Sequence, residues 1–208
     1  MARNNKTQPS QSAQTLRVIG GDLRGSHLQY HGDPVTRPMK ERVREATFNL
    51  LGPQIKGTLA IDLFAGTGAL AIEAISRGAS SAVMIERHFP TIRLIKQNIA
   101  HLSLEDRTEV VTGDTLFWCL NDQQFRQLPF TDRLDLPWAV FCSPPYQLYQ
   151  DQPEQMVQLL EVLIGQAPSG SLFAVEADDR FDPASLPPVI EWDSRVYSPA
   201  HLHIGEVK

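Results

Sequence analysis

Cysteine is scarce in this sequence, and its scarcity argues against two kinds of protein. The 208 residues include two cysteines, Cys119 and Cys142, each inside an apolar run (LFWCL and AVFCS). Such a setting favours buried free thiols in a reducing compartment over a disulfide. The six histidines are scattered, and no grouping of histidine and cysteine has the spacing of a zinc site. We therefore expect neither a disulfide scaffold nor a metal centre.

Long apolar runs are lacking as well. No stretch approaches the ~20 residues of a membrane span. The first residues, MARNNKTQPSQSAQT, contain no apolar core of a signal peptide. We expect residues 1–15 to form a flexible tail, and the protein to be cytoplasmic and without a membrane partner. Because no large apolar stripe calls for a second subunit, we also expect a monomer.

The charge of the chain is unevenly distributed. The net charge is −5, which by itself argues against a nucleic-acid partner. Residues 1–56, however, carry nine Lys and Arg against four Asp and Glu, whereas the remainder carries ten against twenty. This asymmetry favours a basic N-terminal element that contacts something anionic, attached to an acidic body. The alternative is a solvated surface with an uneven distribution of charge.

The N-terminal segment, residues 16–52, contains two predicted elements. LRVIGGDLRGSHLQYH has two short β-prone runs separated by glycines, which predicts a hairpin. TRPMKERVREATFNLLG predicts a helix that begins near Thr36 or Pro38 and ends at Gly52. The polar side of this helix is expected to carry Lys40, Arg42 and Arg44.

From residue 58 onward, strand-like apolar runs alternate with helix-like segments. The predicted strands are TLAIDLFAG, SAVMIE, TEVVTGD, LPWAVFCSPPY and SLFAVEA, with VIEWDSRVYS and AHLHIGEV as a closing hairpin. Stretches such as FPTIRLIKQNIAHL and MVQLLEVLIGQ between them have helical spacing. The alternation predicts an α/β fold over residues 53–208, Rossmann-like, with a mostly parallel seven-stranded sheet and helices on both faces.

A glycine turn follows the first of these strands, in the stretch DLFAGTGAL. Gly66 and Gly68 allow the backbone to turn tightly and to approach a ligand closely, and the next helix begins there. Glu86 ends the following strand, 18 residues beyond Gly68. In doubly wound folds, a carboxylate at that position accepts hydrogen bonds from ribose hydroxyls. The alternative for Glu86 is a solvated strand end.

Two further acids indicate which nucleoside-containing cofactor this turn binds. Asp62 stands just before the turn, where its charge would repel a pyrophosphate but attract an ammonium group. Asp114 follows the third strand, where its carboxylate could accept a hydrogen bond from an adenine amino group. S-adenosylmethionine, which carries an ammonium group and no phosphate, fits this pattern better than a dinucleotide.

The motifs also carry a family resemblance. DLFAGTGALAIEAISRGAS, ERHFPTIRLIKQNI, GD and SPPY resemble, in this order, the motifs of class I S-adenosylmethionine-dependent methyltransferases. RVIGGDLRG and RPMKERVREATFNLL resemble the leading hairpin and helix of the bacterial 16S rRNA (guanine(966)-N(2))-methyltransferase family. The similarity runs from about residue 16 to residue 176. The expected cofactor-binding residues are Asp62, Phe64, Ala65, Gly66, Thr67, Gly68, Glu86, Arg87, Asp114 and Thr115.

The resemblance implies methyl transfer to the exocyclic N2 amine of a guanine in 16S ribosomal RNA, free or in an assembling small ribosomal subunit. The segment Ser143-Pro144-Pro145-Tyr146 would form the catalytic floor. Ser143 Oγ and the Pro144 carbonyl would accept hydrogen bonds from the amine, and Tyr146 would stack on the base. Pro145 holds Pro144 in extended geometry. The alternative is that Pro-Pro only ends a strand.

Ser143 departs from the resembled family, which usually has aspartate at this position. A neutral hydroxyl accepts a hydrogen bond more weakly than a carboxylate does, by about 1 kcal/mol. Two alternatives therefore stay open: transfer to another base amine such as cytosine N4 or an amine of DNA, and a cofactor- and RNA-binding protein with reduced or lost turnover. A nicotinamide dehydrogenase is a separate alternative, although nothing in the sequence resembles its catalytic His or Tyr-Lys.

Four arginines of the N-terminal segment are candidates for RNA phosphate contact: Arg17, Arg24, Arg37 and Arg42. The resemblance also allows Arg37 and Arg42 to dock the helix over the cofactor pocket. The alternative is that these side chains are solvated or pair with Glu41 and Glu45 at helical spacing.

Overall fold

The structure, a computed structural model, describes residues 14–30, 38–125, 127 and 133–208. The predicted tail lies outside these residues except for Gln14 and Thr15, which begin the first strand. Arg37 also lies outside the described residues. Within the described part of the chain, no helix is long and apolar enough to cross a membrane.

A two-stranded hairpin and a helix come first. Strands β1 (Gln14–Arg17) and β2 (His27–Tyr30) pair antiparallel, as predicted. Helix α1 (Glu41–Leu51) begins later than the predicted Thr36 or Pro38, because Lys40 has a ψ of 140° and keeps the backbone extended up to that residue. The helix ends at Gly52 as predicted, where the φ of 60° suits glycine.

Seven strands form the main sheet. They are β3 (Leu59–Asp62), β4 (Ser81–Glu86), β5 (Thr108–Thr112), β6 (Trp138–Cys142), β7 (Leu172–Asp178), β8 (Trp192–Tyr197) and β9 (Ala200–Glu206). Their order is β5-β4-β3-β6-β7-β9-β8. Strands β3 to β7 run parallel to one another, whereas β9 lies antiparallel between β7 and β8. The prediction of a mostly parallel seven-stranded sheet with a closing hairpin is confirmed.

Helices cover both faces of this sheet. They are α2 (Ala69–Ser76), α3 (Phe89–His101), α4 (Thr115–Cys119), α5 (Asp122–Phe125), α6 (Leu148–Asp151) and α7 (Pro153–Gln166), with short 3-10 turns at Gly52–Ile55, Glu105–Arg107 and Pro183–Ser185. Alternate strand residues supply two apolar clusters, one with α1, α2 and α3 and the other with α4, α5 and α7. Cys119 and Cys142 lie in the second cluster as buried free thiols, as predicted.

The N-terminal segment packs directly onto the sheet. Val18, Leu28 and Phe48 belong to the same apolar cluster as α2 and α3. Arg44, predicted on the polar side of α1, is only 1% exposed, and the prediction is wrong for this residue. Arg44 lies one helical turn before Phe48 and therefore shares its buried face. Arg44 Nη2 donates a hydrogen bond of 2.6 Å to the Arg17 carbonyl.

Candidate functional site

Two sequence motifs meet at one edge of the main sheet. Strands β3 and β6 are parallel neighbours, with Asp62 paired opposite Phe141. The glycine turn that follows β3 therefore lies beside the segment Ser143–Tyr146 that follows β6. This is the carboxyl edge of the parallel strands, where open α/β sheets bind their ligands.

Backbone conformation explains the glycines of the turn. Gly66 and Gly68 have φ values of 51° and 75°, in the left-handed region that other residues avoid. A Cβ added at Gly68 would lie 3.2 Å from Met84 Sδ and 3.3 Å from Ile95 Cγ2. The Gly68 carbonyl accepts from Ile72 N–H at 3.0 Å and so starts α2. The turn is closely packed against β4 and α3.

Asp62 is a buried carboxyl group without a hydrogen-bond partner in the described part of the chain. The residue is 0% exposed, and neither carboxyl oxygen makes a hydrogen bond of normal geometry. Burial raises the pKa of Asp62 to about 7, and the charge of Glu86 adds to this, whereas the nearby amides of Ala71 and Phe64 oppose it. An unpaired acid at this place suits a cationic group such as the ammonium of an amino acid.

Glu86 stabilises the turn from the end of β4. Its Oε2 accepts from Gly66 N–H at 2.9 Å, and its Oε1 accepts from the N–H groups of Arg87 and His88 at 2.9 and 2.8 Å. Carboxylate oxygens accept more than one hydrogen bond, so a ribose hydroxyl can still be bound there. The predicted ribose contact stays a prediction.

Asp114 and Thr115 have structural partners at the start of α4. Asp114 Oδ1 accepts from the N–H groups of Leu116 and Phe117, at 3.0 and 3.2 Å, and so caps the helix. Asp114 Oδ2 lies 3.3 Å from Arg87 Nη1. Thr115 is buried, and its hydroxyl donates to the Leu63 carbonyl.

The remaining predicted cofactor residues line the turn itself. Ala65 and Thr67 are buried there, whereas Phe64 is half-buried against the second apolar cluster. The Ala65 N–H donates to the Ile85 carbonyl at 3.0 Å, which joins the turn to β4.

The segment after β6 converges on a residue that the sequence reasoning missed. Ser143 Oγ donates a hydrogen bond to Glu176 Oε2, and Tyr146 OH donates one of 2.7 Å to Glu176 Oε1. Tyr149 OH donates to the Glu176 backbone carbonyl at 3.1 Å. Ser143 and Tyr146 are half-buried, whereas Glu176 is 6% exposed. A signal was present in the sequence, since Glu176 is an acid within the otherwise apolar run LFAVEA.

The candidate arginines lie at two different places in the described residues, except Arg37, which lies outside them. Arg17 is exposed and pairs with Glu41 at 2.5 Å. Arg42 donates to the backbone carbonyls of Tyr197, which ends β8, and Ser198, in the turn to β9. This turn lies beside Asp178, at the carboxyl end of β7. An open cavity of about 280 Å³ beside the hairpin is lined by Arg17, Ile19, Arg24, Gly25, Glu41, Glu45 and Arg77. Phosphate contact by Arg17, Arg24 and Arg42 stays a prediction.

The described residues form no cluster that could hold a metal ion. No three His, Cys, Asp or Glu side chains among them are placed to hold an ion. The site consists instead of one unpaired buried acid, a glycine turn and a hydroxyl-carboxylate cluster.

A family model described as conserved hypothetical protein 95 matches residues 16–203. The chain belongs to this family. The match covers the hairpin, α1 and the sheet as far as β9, so both candidate motifs lie within it.

Individual proteins of known sequence or structure are also similar to this chain. YlbH of Bacillus subtilis is 34% identical over 149 residues, which are 72% of this chain and 73% of YlbH. Ribosomal RNA small subunit methyltransferase D of Buchnera aphidicola is 32% identical over 146 residues, 70% of each chain. The solved structure of yhhF from Escherichia coli is 25% identical, with a TM-score of 0.73 over 94% of this chain and 99% of its own. The fold is that of class I S-adenosylmethionine-dependent methyltransferases, as predicted.

Proposed function

We propose that this protein is an S-adenosylmethionine-dependent methyltransferase that modifies the exocyclic N2 amine of a guanine in 16S ribosomal RNA. The observation that carries the proposal is the juxtaposition of the glycine turn after β3 with Ser143–Tyr146 after β6. The similarity to ribosomal RNA small subunit methyltransferase D supports the substrate class.

The described residues fit this cofactor. Asp62 is a buried carboxyl group without a partner there, and an ammonium group would provide the missing positive charge. The backbone at Gly66 and Gly68 can approach a ligand closely, and Glu86 and Asp114 are the proposed acceptors for ribose hydroxyls and the adenine amino group. The bound cofactor supplies a methyl group on an already activated sulfonium.

The segment after β6 would hold the acceptor base. An exocyclic base amine is a weak nucleophile, because its lone pair is delocalised into the ring. Ser143 Oγ and the Pro144 carbonyl would accept hydrogen bonds from its N–H groups, and the half-buried Tyr146 ring would support the base. A base in a paired region would have to leave its stack first, which is easier from single-stranded RNA.

The partner is proposed to be ribosomal RNA, either free or in an assembling small subunit, bound by a cytoplasmic monomer. Support comes from the exposed Arg17 and Arg24 beside the hairpin cavity. Glu41 and Glu45 also line that cavity. Arg17 would therefore have to break its ion pair with Glu41 in order to contact an RNA phosphate.

The test compares ribosomal RNA from cells with and without this protein. Mapping of modified nucleotides should show one N2-methylguanine of 16S RNA that disappears with the gene and returns on adding the purified protein and cofactor. Free RNA and small-subunit particles are tested in parallel to identify the substrate form. An unchanged 16S RNA in both strains contradicts the proposal.

Ser143 favours one second candidate, a methyltransferase acting on another base amine such as cytosine N4 or an amine of DNA. A hydroxyl at this position presents a different acceptor from the aspartate of the resembled family. Labelled methyl groups recovered on cytosine or in DNA, with none on guanine, would select this candidate.

A further inference from the structure

Glu176 places a negatively charged carboxylate next to the Ser143 hydroxyl, in the segment proposed to hold the base for methyl transfer. Strands β6 and β7 are parallel neighbours, and Cys142 pairs opposite Val175. Ser143 directly follows β6 and Glu176 is the next residue of β7, so their side chains meet at the carboxyl edge of the sheet. All seven residues of β7 are buried, and Glu176 is the charged residue of that strand nearest to Ser143.

The two carboxylate oxygens of Glu176 accept hydrogen bonds from two different residues. One accepts from Ser143 and the other from Tyr146, the residues at either end of the motif after β6. The Glu176 carbonyl is held by Tyr149 OH, which is itself buried. Charged acceptors make shorter and stronger hydrogen bonds than neutral ones, so this cluster fixes the orientation of both hydroxyls.

The direction of the Ser143 hydrogen bond decides what the serine can do. The Ser143 hydroxyl donates a hydrogen bond to Glu176, so the lone pairs of Ser143 Oγ can accept a hydrogen bond from another group. Ser143 is half-buried and directly follows β6, at the carboxyl edge of the sheet where such folds bind ligands. The hydrogen bond to Glu176 therefore orients Ser143 Oγ, which the sequence alone presents only as a weaker acceptor than a carboxylate.

We infer that Glu176 is the carboxylate of the transfer site, acting through Ser143 as a positioning residue and as the final proton acceptor. The inference rests on the proposed function. In the resembled family a single aspartate would be the acceptor, and here the pair of Ser143 and Glu176 takes that role. The site therefore keeps a charged acceptor although Ser143 itself is neutral.

The proposed step balances in atoms and charge. A bond forms between the amine nitrogen and the methyl carbon, and the bond between that carbon and the cofactor sulfur breaks, so the positive charge passes to the nitrogen. The nitrogen then loses one proton to Ser143 Oγ as the original Ser143 proton moves to Glu176 Oε2. The products are the methylated amine, a neutral thioether and a neutral Glu176 carboxylic acid.

The experiment measures methyl transfer to 16S RNA from cells that lack the gene, with the wild-type protein and six variants. Glu176→Gln keeps the shape of the side chain and removes its charge, and we expect kcat to fall about a hundredfold, as for loss of a general base. The affinity for S-adenosylmethionine, measured by calorimetry, should change less than twofold, as should KM for RNA. Glu109→Gln, an exposed acid on the far edge strand β5, is the matched control and should keep wild-type activity.

The other four variants separate the transfer role from a structural one. Ser143→Ala should lose about as much kcat as Glu176→Gln, and the double variant should lose little more, because residues that act as one unit are non-additive. Ser143→Asp alone places two carboxylates side by side and should lower activity. Ser143→Asp combined with Glu176→Gln restores one charge and should recover at least tenfold over Glu176→Gln.

Three results would count against the inference, and they differ in meaning. Wild-type kcat in folded Glu176→Gln overturns the role of Glu176 and leaves the proposed function standing. A loss in Glu176→Gln that Ser143→Asp does not recover assigns Glu176 a structural role and overturns the inference too. Failure of the wild-type protein to methylate any RNA overturns the proposed function, and the role of Glu176 with it.

Discussion

At the scale of single residues, Asp62 has an energetic cost in the protein without its cofactor. Its carboxyl group is fully buried, and its pKa of about 7 means that ionisation is unfavourable in the folded chain. Active sites often carry such locally unfavourable groups, because a ligand can satisfy them. Two measurable consequences follow, one for binding and one for stability.

The affinity for S-adenosylmethionine should depend on the ionisation of Asp62. The ammonium group of the cofactor pairs with the carboxylate form, which is lost as pH falls through about 7. Calorimetric titrations between pH 5.5 and 8.5 should therefore show affinity falling up to about tenfold per pH unit below 7. Asp62→Asn should bind on the order of a hundredfold more weakly at pH 8, without this slope. An equal slope in the variant would contradict the assignment.

The free energy of unfolding should depend on pH through Asp62 in the direction opposite to that of cofactor affinity. Its pKa is raised from 3.8 in an unfolded chain to about 7, so the folded state holds the extra proton between those values. The free energy of unfolding therefore falls as pH rises from about 4 to 7 and is constant above 7. Urea unfolding should find Asp62→Asn more stable than wild type at pH 8, by up to about 4 kcal/mol, and similar near pH 4. Lower stability of the variant at pH 8 would refute this.

At the scale of elements, Glu73 of α2 joins the hairpin to the helix that follows the glycine turn. Its oxygens accept from the N–H groups of Ile19 and Gly20, each at 2.8 Å, and from Arg77 Nε at 2.8 Å. Arg44 Nε of α1 lies 3.9 Å away, and both residues are buried. One carboxylate thus connects the hairpin loop that follows β1 with α1 and α2.

Removing this charge should destabilise the protein more than removing an exposed one. Glu73→Gln removes the nearest opposite charge from the buried guanidinium of Arg44, which should cost about 3 kcal/mol or more in urea unfolding. Glu41→Gln removes the acid of the exposed pair with Arg17 and should cost less than about 1 kcal/mol. Equal effects of the two substitutions would show that the Glu73 cluster does not hold the hairpin.

At the scale of the whole molecule, the two cysteines report on global unfolding. Cys119 and Cys142 are 0% exposed, and burial raises the pKa of each thiol to about 12. The folded protein should therefore resist a thiol reagent at pH 8, because the thiolate is the reacting form. Cofactor at a hundredfold excess over its Kd should slow labelling about a hundredfold, by stabilising the folded state. Rapid labelling of the folded protein would show local opening of the second apolar cluster.

Much of this architecture could be predicted from the sequence, and the exceptions are buried charged residues. The strand predicted from SAVMIE is β4 with the same bounds, because continuous apolar residues bordered by turn residues identify a buried parallel strand. Arg44, Glu73 and Glu176 were misplaced or missed, because charged residues normally indicate solvent. Each is buried beside a polar partner from a distant part of the chain, and sequence periodicity carries no information about such partners.

The position of β9 has a consequence for synthesis of the chain. This strand is the last of the described strands, yet it lies between β7 and β8 and contacts α1 through Ala200 and Leu202, which pack with Val43. A nascent chain therefore carries an unpaired edge of β7 and an uncovered face of α1 until β9 has left the ribosome. Exposed edges of this kind invite aggregation. Glu176 lies on β7, so the proposed transfer site gains its full support only when translation of this last strand is complete.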